Sequence, residues 1–281
     1  MNKQSLIKSI STDSIGWQGS ISQFLEIYQP YFLNNTFNGV EIIPFKPLKK
    51  TKKIIDRLLN FGIKNLSFHG QTGGEKYLSF LKKISLYFVN LNLLQPKILL
   101  ENFSNYPILF HQPFLENNKI INLIIKNPPK KLLIENHQRG IKGLKKTIKT
   151  IDLLRKNQVN CFGLIDVYHF VVDKKIKTII EDWEKNILTI KKYLLLKDKN
   201  NQPYFNAIHF PIGTRLNDSL PIDYLSVNQL KFFAKNIIPY INQLTIENQQ
   251  QYFGLIYPLS LKKIKKRNQI IFSRLKETGI L

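Results

Sequence analysis

The sequence predicts an α/β protein, a (β/α)8 TIM barrel in a single domain spanning residues 1–281. Three observations carry that prediction. Short β-like apolar runs alternate with longer stretches of helical periodicity from end to end, which implies a parallel sheet. Eight such units can be counted along the chain, and eight favour a closed barrel over an open sheet. No Gly/Ser linker or shift in composition separates them, and 281 residues suit one barrel.

The first strand is expected around Ser9 to Ile15, followed by a helix from Ser20 to Leu33. Gly39 to Ile43 reads as the second strand, closed by Pro44, with a helix over Lys49 to Asn60. Asn65 to His69 is the third strand, and Glu75 to about Leu94 its helix. Tyr106 to His111 is the fourth, with a helix from Phe114 to Lys126 stopped by Pro128 and Pro129. Between Gln95 and Ser104 the pattern is ambiguous, because Ile98 to Glu101 also reads as a strand. Lys131 to Glu135 has no polar alternation, as expected for a strand buried on both faces. A helix from Ile141 to Lys156 follows. Asn160 to Asp166 is the sixth strand, with a helix over Ile176 to Leu196. Phe205 to His209 is the seventh, followed by a loop and a helix from Val227 to Asn236. Ile241 to Glu247 is the eighth, and a basic helix from Leu259 to Lys276 ends the pattern.

Composition narrows the function classes. Hydrophobic residues make up 43% of the chain, which excludes a disordered polymer. A single cysteine, Cys161, excludes an internal disulfide framework and points to a reducing, cytoplasmic compartment. It starts a strand with no nucleophilic partner pattern around it, so it reads as a small buried hydrophobe. No apolar run suits a signal peptide or a membrane span. Lys and Arg number 42 against 19 Asp and Glu, a formal net charge of +23. Such an excess suits a nucleic-acid partner or reflects a Lys-rich composition. The basic runs around Lys49–Lys53, Lys145–Lys149 and Lys262–Arg267 fall in or beside predicted outer helices, where charge usually means a solvated face. The expected mouth loops, Gly70 to Gly74 and Asn248 to Tyr257, carry almost none, although a DNA-binding mouth needs cations.

The chemistry is suggested by what ends the strands. His69, His111, Glu135, Asp166, His209 and Glu247 each close a predicted strand. In a (β/α)8 barrel those C-terminal ends converge on the face that carries the active site. Carboxylate and imidazole donors suit one divalent metal, Mn²⁺, Mg²⁺, Co²⁺ or Zn²⁺. Glu135, Asp166 and Glu247 crowded together repel one another unless a cation neutralises them.

Leu132-Leu133-Ile134-Glu135-Asn136-His137, Gly163-Leu164-Ile165-Asp166-Val167-Tyr168-His169, Ala207-Ile208-His209-Phe210 and Leu244-Thr245-Ile246-Glu247 resemble four strand motifs of the xylose isomerase-like TIM-barrel superfamily. Val40-Glu41-Ile42 and Ser67-Phe68-His69 resemble its early strands. The superfamily includes ketose epimerases, hydroxypyruvate-type isomerases and endonuclease IV. The resemblance implies that Glu135, Asp166, His209 and Glu247 bind one divalent metal and that His169 faces the substrate. Arg215, six residues after His209, matches the arginine that ketose 3-epimerases set against substrate hydroxyls. It further implies that Glu135 and Glu247 move the proton, on a small carbohydrate, while the metal polarises the carbonyl and stabilises the enediolate. The expected reaction is isomerisation or epimerisation of a small sugar. One position departs: the family's further glutamate falls on Ile141, which puts strict ketose 3-epimerase specificity in doubt. Barrels of this superfamily often pair, so a homo-oligomer is also expected.

The alternative is an abasic-site DNA nuclease resembling endonuclease IV. His69 and His111 stand where that resemblance puts two extra zinc ligands, so they line the pocket or hold a second metal. Leu216-Asn217-Asp218-Ser219 resembles that family's run after strand seven, yet Asp223-Tyr224-Leu225 lacks the histidine of its third zinc site. A non-catalytic barrel that keeps its ligands is a third reading. Glu41 can bond a substrate hydroxyl or a neighbouring strand, and Trp17, Phe45 and Tyr168 can wall a sugar pocket. His137 reads as a loop residue beside the site.

Overall fold

In the computed structural model eight parallel strands pair in chain order and close on themselves: β1 (Ile7–Ser11), β2 (Gly39–Ile42), β3 (Asn65–His69), β4 (Pro107–His111), β5 (Lys131–Glu135), β6 (Cys161–Asp166), β7 (Phe205–Ile212) and β8 (Gln243–Asn248). The ring closes where β1 pairs with β8, Ile7 opposite Gln243 through Ile10 opposite Ile246. The structure describes residues 5–12, 21–43, 48–70, 96–136, 140–171, 176–212, 224–248 and 261–281. The (β/α)8 barrel expected from the alternating pattern is therefore the fold. Among the described residues no helix is long and apolar enough to cross a membrane.

Helices found on the outside follow the predicted order with local differences. Residues 96–103 are helical, which settles the ambiguous stretch against a strand. The helix expected over Glu75 to Leu94 lies outside the described residues. The stretch expected as one helix from Phe114 is a 3₁₀ turn, Gln112–Glu116, and then a helix, Asn118–Lys126. Asn117 separates them because its side chain accepts the backbone N–H of Lys119 and caps the second segment. Likewise, Ile176–Glu181 and Trp183–Leu194 replace one long helix, and a short turn of helix, Val167–Val171, directly follows β6. Ser226 and Gln229 form a reciprocal capping box that starts the helix Val227–Ile237. In the last helix, Leu261–Glu277, Ile264, Asn268, Ile271, Phe272 and Leu275 are buried at helical spacing. Lys262, Lys263, Lys265 and Lys266 on its other face are exposed.

Two apolar layers result. The large one lies between the outward faces of the strands and the helices, and Trp183, Phe68, Phe110 and Phe205 are buried in it. Inside the barrel a small cluster of Leu109, Leu133, Leu164 and Ala207 fills the β4–β7 half. Side chains two residues apart share a face, so this cluster lies directly beneath His111, Glu135, Asp166 and His209. The other half of the interior is polar: Ser9, Ser67, Gln243 and Thr245 are buried there on the faces that carry Glu41, His69 and Glu247.

Gly163 marks one close approach. The register between β6 and β7 shifts at Gly163 and Leu164, and a Cβ on Gly163 would meet the Phe205 ring at 2.3 Å. Phe205 is itself fully buried and cannot swing away. Gly163→Ala is therefore expected to destabilise the fold by about 1–3 kcal/mol, through overpacking. A urea titration reads this as a lower midpoint at unchanged slope, and a wild-type midpoint would refute the contact.

Candidate metal centre

Seven strands aim one acidic or imidazole side chain each at the same end of the barrel. His69, His111, Glu135 and Asp166 are the last residues of β3, β4, β5 and β6. Glu41 in β2 and Glu247 in β8 stand one residue before their strand ends. His209 sits mid-strand, because β7 runs on through Ile212 while pairing with β8. His169 comes from the short helix after β6 and is fixed by its backbone N–H, which donates to Asp166 Oδ1 at 2.7 Å.

These side chains touch one another. His69 Nδ1 donates to Glu41 Oε1 at 3.1 Å, and His209 Nε2 donates to Glu41 Oε2 at 3.0 Å. His69 Nε2 and His111 Nε2 share a hydrogen bond of 2.9 Å. Around Glu135 Oε2 lie His111 Nε2 at 3.2 Å, His209 Nδ1 at 3.4 Å and His69 Nε2 at 3.6 Å. Glu247 Oε1 stands 3.2 Å from His209 Nδ1, and His169 Nε2 stands 3.7 Å from Glu135 Oε1. Of the predicted ligands, Glu135 and Glu247 both approach His209, whereas Asp166 groups with Glu135 and His169. Glu41, expected to reach a substrate hydroxyl or a strand, bonds two imidazoles.

Burial makes the electrostatics severe. It opposes ionisation of Glu41, yet His209 and His69 outweigh it and hold the carboxyl down at about 2. Burial also opposes the His69 imidazolium, but Glu41 and Glu135 lift it to about 9. His209 is raised well above the ordinary imidazole value by Glu41, Glu247 and Glu135, against the effect of burial. Glu135 is held well below the carboxylate range because His111 and His209 outweigh its burial. Asp166 is pushed up to about 6, first by burial and then by Glu135. Glu247 is pushed up to about 8 by burial, with Glu135 and Asp166 adding to it.

The donor chemistry fits a divalent cation. Three overlapping groups place one donor atom per residue within 4.8 Å of one another: Glu41, His69, His209 and Glu247; His69, His111 and Glu135; and Glu135, Asp166 and His169. Among the described residues Glu135 Oε2 and His209 Nδ1 are buried without a hydrogen-bond partner, although buried polar atoms are ordinarily satisfied. A cation between them would satisfy both.

Asn136 is a residue that sequence reasoning passed over. It is fully buried, and its Oδ1 accepts the backbone N–H of Asp166 at 2.8 Å, tying the end of β5 to that of β6. Its position directly after Glu135 was its only sequence signal. Tyr168 is half-buried, with its ring 6.0 Å from that of His169. Arg215, Trp17, Phe45, His137, Asp223, residues 216–219, and the loops 71–74 and 249–257 lie outside the described residues.

No protein-family model matches the chain, and no curated protein sequence matches it. Its fold is similar to that of solved structures. One is a D-tagatose 3-epimerase-like protein, at 12% identity and a TM-score of 0.53, covering 98% of each chain. A second is a D-psicose 3-epimerase determined in the presence of D-fructose, at 12% identity and a TM-score of 0.53, covering 98% of this chain and all of that one. A third, a trimodular GH5_4 subfamily endoglucanase, reaches a TM-score of 0.54 at 9% identity, covering 98% of this chain and 60% of that one. Likeness at such identities is likeness of fold.

Proposed function

We propose that this protein is a divalent-metal-dependent isomerase or epimerase of a small sugar or sugar derivative. The observation that carries the reading is the convergence of two carboxylates, Glu135 from β5 and Glu247 from β8, on the buried Nδ1 of His209 at 3.4 and 3.2 Å. Glu135, Asp166, His209 and Glu247 would hold the cation, with Mn²⁺, Mg²⁺, Co²⁺ and Zn²⁺ the candidates. When bound, it supplies Lewis-acid polarisation of a substrate carbonyl. The protein's own residues do the rest. One of Glu135 and Glu247 takes the proton from the carbon beside the carbonyl, and the other returns one from the opposite side, which inverts that carbon. His169, and with it Arg215, orients the substrate oxygens. The sugar 3-epimerases of similar fold support a carbohydrate substrate, and the single cysteine supports a reducing, cytoplasmic setting.

The test is solvent exchange. Metal-loaded protein incubated with ketopentoses and ketohexoses in deuterated water should place deuterium on the carbon next to the carbonyl, read by proton NMR. No exchange across the panel would overturn the reading.

One observation favours a second reading, metal-dependent cleavage of DNA at abasic sites. His69 and His111 point into the same cluster as Glu135 and form a donor group with it, which suits a second metal. The same preparation should then nick a duplex carrying an abasic site. Nicking without exchange would replace the first reading by the second.

A further inference from the structure

We propose that Glu41 is the positioning residue that selects which nitrogen His209 presents to the metal and which nitrogen His69 presents to the neighbouring donor group of His111 and Glu135. The inference rests on the metal-binding reading above and is independent of the substrate. Glu41 is 0% exposed, and both of its oxygens are taken up by imidazoles. Its two oxygens are divided between the two rings, Oε1 accepting from His69 Nδ1 and Oε2 from His209 Nε2. Thr245 Oγ1 adds a longer bond of 3.4 Å to Oε2, which steadies the carboxylate from β8.

A neutral imidazole that donates through one nitrogen offers a lone pair on the other. His209 therefore presents Nδ1, the buried atom that lies between Glu135 and Glu247 and has no hydrogen-bond partner. His69 presents Nε2, the atom that faces His111 and Glu135. One carboxylate thus fixes the tautomer in two neighbouring donor groups at once. Such outer partners of metal-bound histidines set ring orientation and ligand basicity. The sequence separations, 28 residues to His69 and 168 to His209, show that only the closed barrel creates this bridge.

Two measurements test the proposal, with Zn²⁺ as the probe. The first is Zn²⁺ affinity, by competition with a chromophoric chelator, for wild type, Glu41→Gln and Glu41→Asp. The glutamine amide offers one acceptor oxygen, so one ring meets an N–H donor and must turn its lone pair inward. Affinity should fall roughly 10–100-fold, the range for a lost outer partner, and aspartate, which keeps two acceptors, should recover part of it. The second is a long-range ¹H–¹⁵N spectrum of histidine-labelled, Zn²⁺-loaded wild type. It should show the proton on Nε2 of His209 and on Nδ1 of His69. Protons on the opposite nitrogens, or direct ligation by Glu41 that removes either bond, would overturn the proposal. The wild-type spectrum decides alone if Glu41→Gln does not fold. Wild type that takes up no Zn²⁺ sinks the metal reading and this inference with it. Uptake that Glu41→Gln leaves unchanged sinks this inference only.

Discussion

Glu135→Gln is expected to leave the purified protein nearly free of divalent metal and to abolish solvent-deuterium exchange. Glu135 belongs to two of the three donor groups found among the described residues and joins the Asp166 group to the histidines. Its Oε2 lies 3.2–3.6 Å from three different imidazoles, a position in which an amide would place either an N–H donor or a weaker, uncharged acceptor. Losing an outer partner alone weakens metal binding about 10–100-fold, and loss of a direct donor should exceed that. Under the proposed reaction, removing the carboxylate that moves the proton would add a further loss of about 10²–10⁴-fold in turnover. Elemental analysis after gel filtration, with circular dichroism to confirm the barrel, reads the first effect. Wild-type metal content in the variant would sink the ligand assignment.

The second large effect is a stability profile that inverts with metal. In the metal-free protein His69 is raised from 6.5 to about 9. Its contribution to stability is complete below its ordinary value and is lost as pH rises through about 9. Glu41 is lowered from 4.5 to about 2, so its contribution is present above its ordinary value and is lost as pH falls towards 2. Asp166, raised from 3.8 to about 6, and Glu247, raised from 4.5 to about 8, act in the opposite sense. Their folded forms keep protons that the unfolded chain has already released, so stability declines as pH climbs through those windows. Stripped protein should therefore be most stable near pH 4, where the gain from Glu41 gives way to the losses from Asp166 and Glu247, and should lose roughly 5–10 °C of Tm by pH 9. A bound cation competes with those protons and should raise Tm most at the alkaline end. Thermal melts with and without Zn²⁺ across pH 4–9 check this. Parallel profiles would refute the coupling.

Much of the barrel was legible because its strands carry local marks. β3 and β5 begin and end at the predicted residues. Each is a short apolar run that ends in a charged or imidazole side chain. β7 was read as ending at His209 but continues past it, with Pro211 pairing opposite Glu247. Proline lacks the N–H of a ladder and so reads locally as a stop, although its carbonyl still serves the parallel neighbour. The break between Glu181 and Trp183 was hidden for another reason. Trp183 turns its ring into the core and donates from Nε1 to Gln229 O, a partner 46 residues away. At the site, the residue types that converge were readable from strand ends, since the fold gathers those ends. Which atom holds which was not. Glu41 between His69 and His209, and Asn136 on Asp166 N–H, are pairings between different strands with no local periodicity to betray them.

The distribution of donors over β2 to β8 has a consequence for how the chain is made. Glu41 is synthesised early and Glu247 late, and the last donor arrives on the strand that meets β1 to shut the ring. A nascent chain that has not yet docked β8 lacks one of the carboxylates, and a chain docked out of register turns that carboxylate to the wrong face. A bound cation would then add stability of about 2.7 kcal/mol at a hundredfold excess over Kd only to a ring that has closed correctly. Under the proposed metal reading, loading would act as an inspection of the finished fold, separating completed barrels from stalled intermediates.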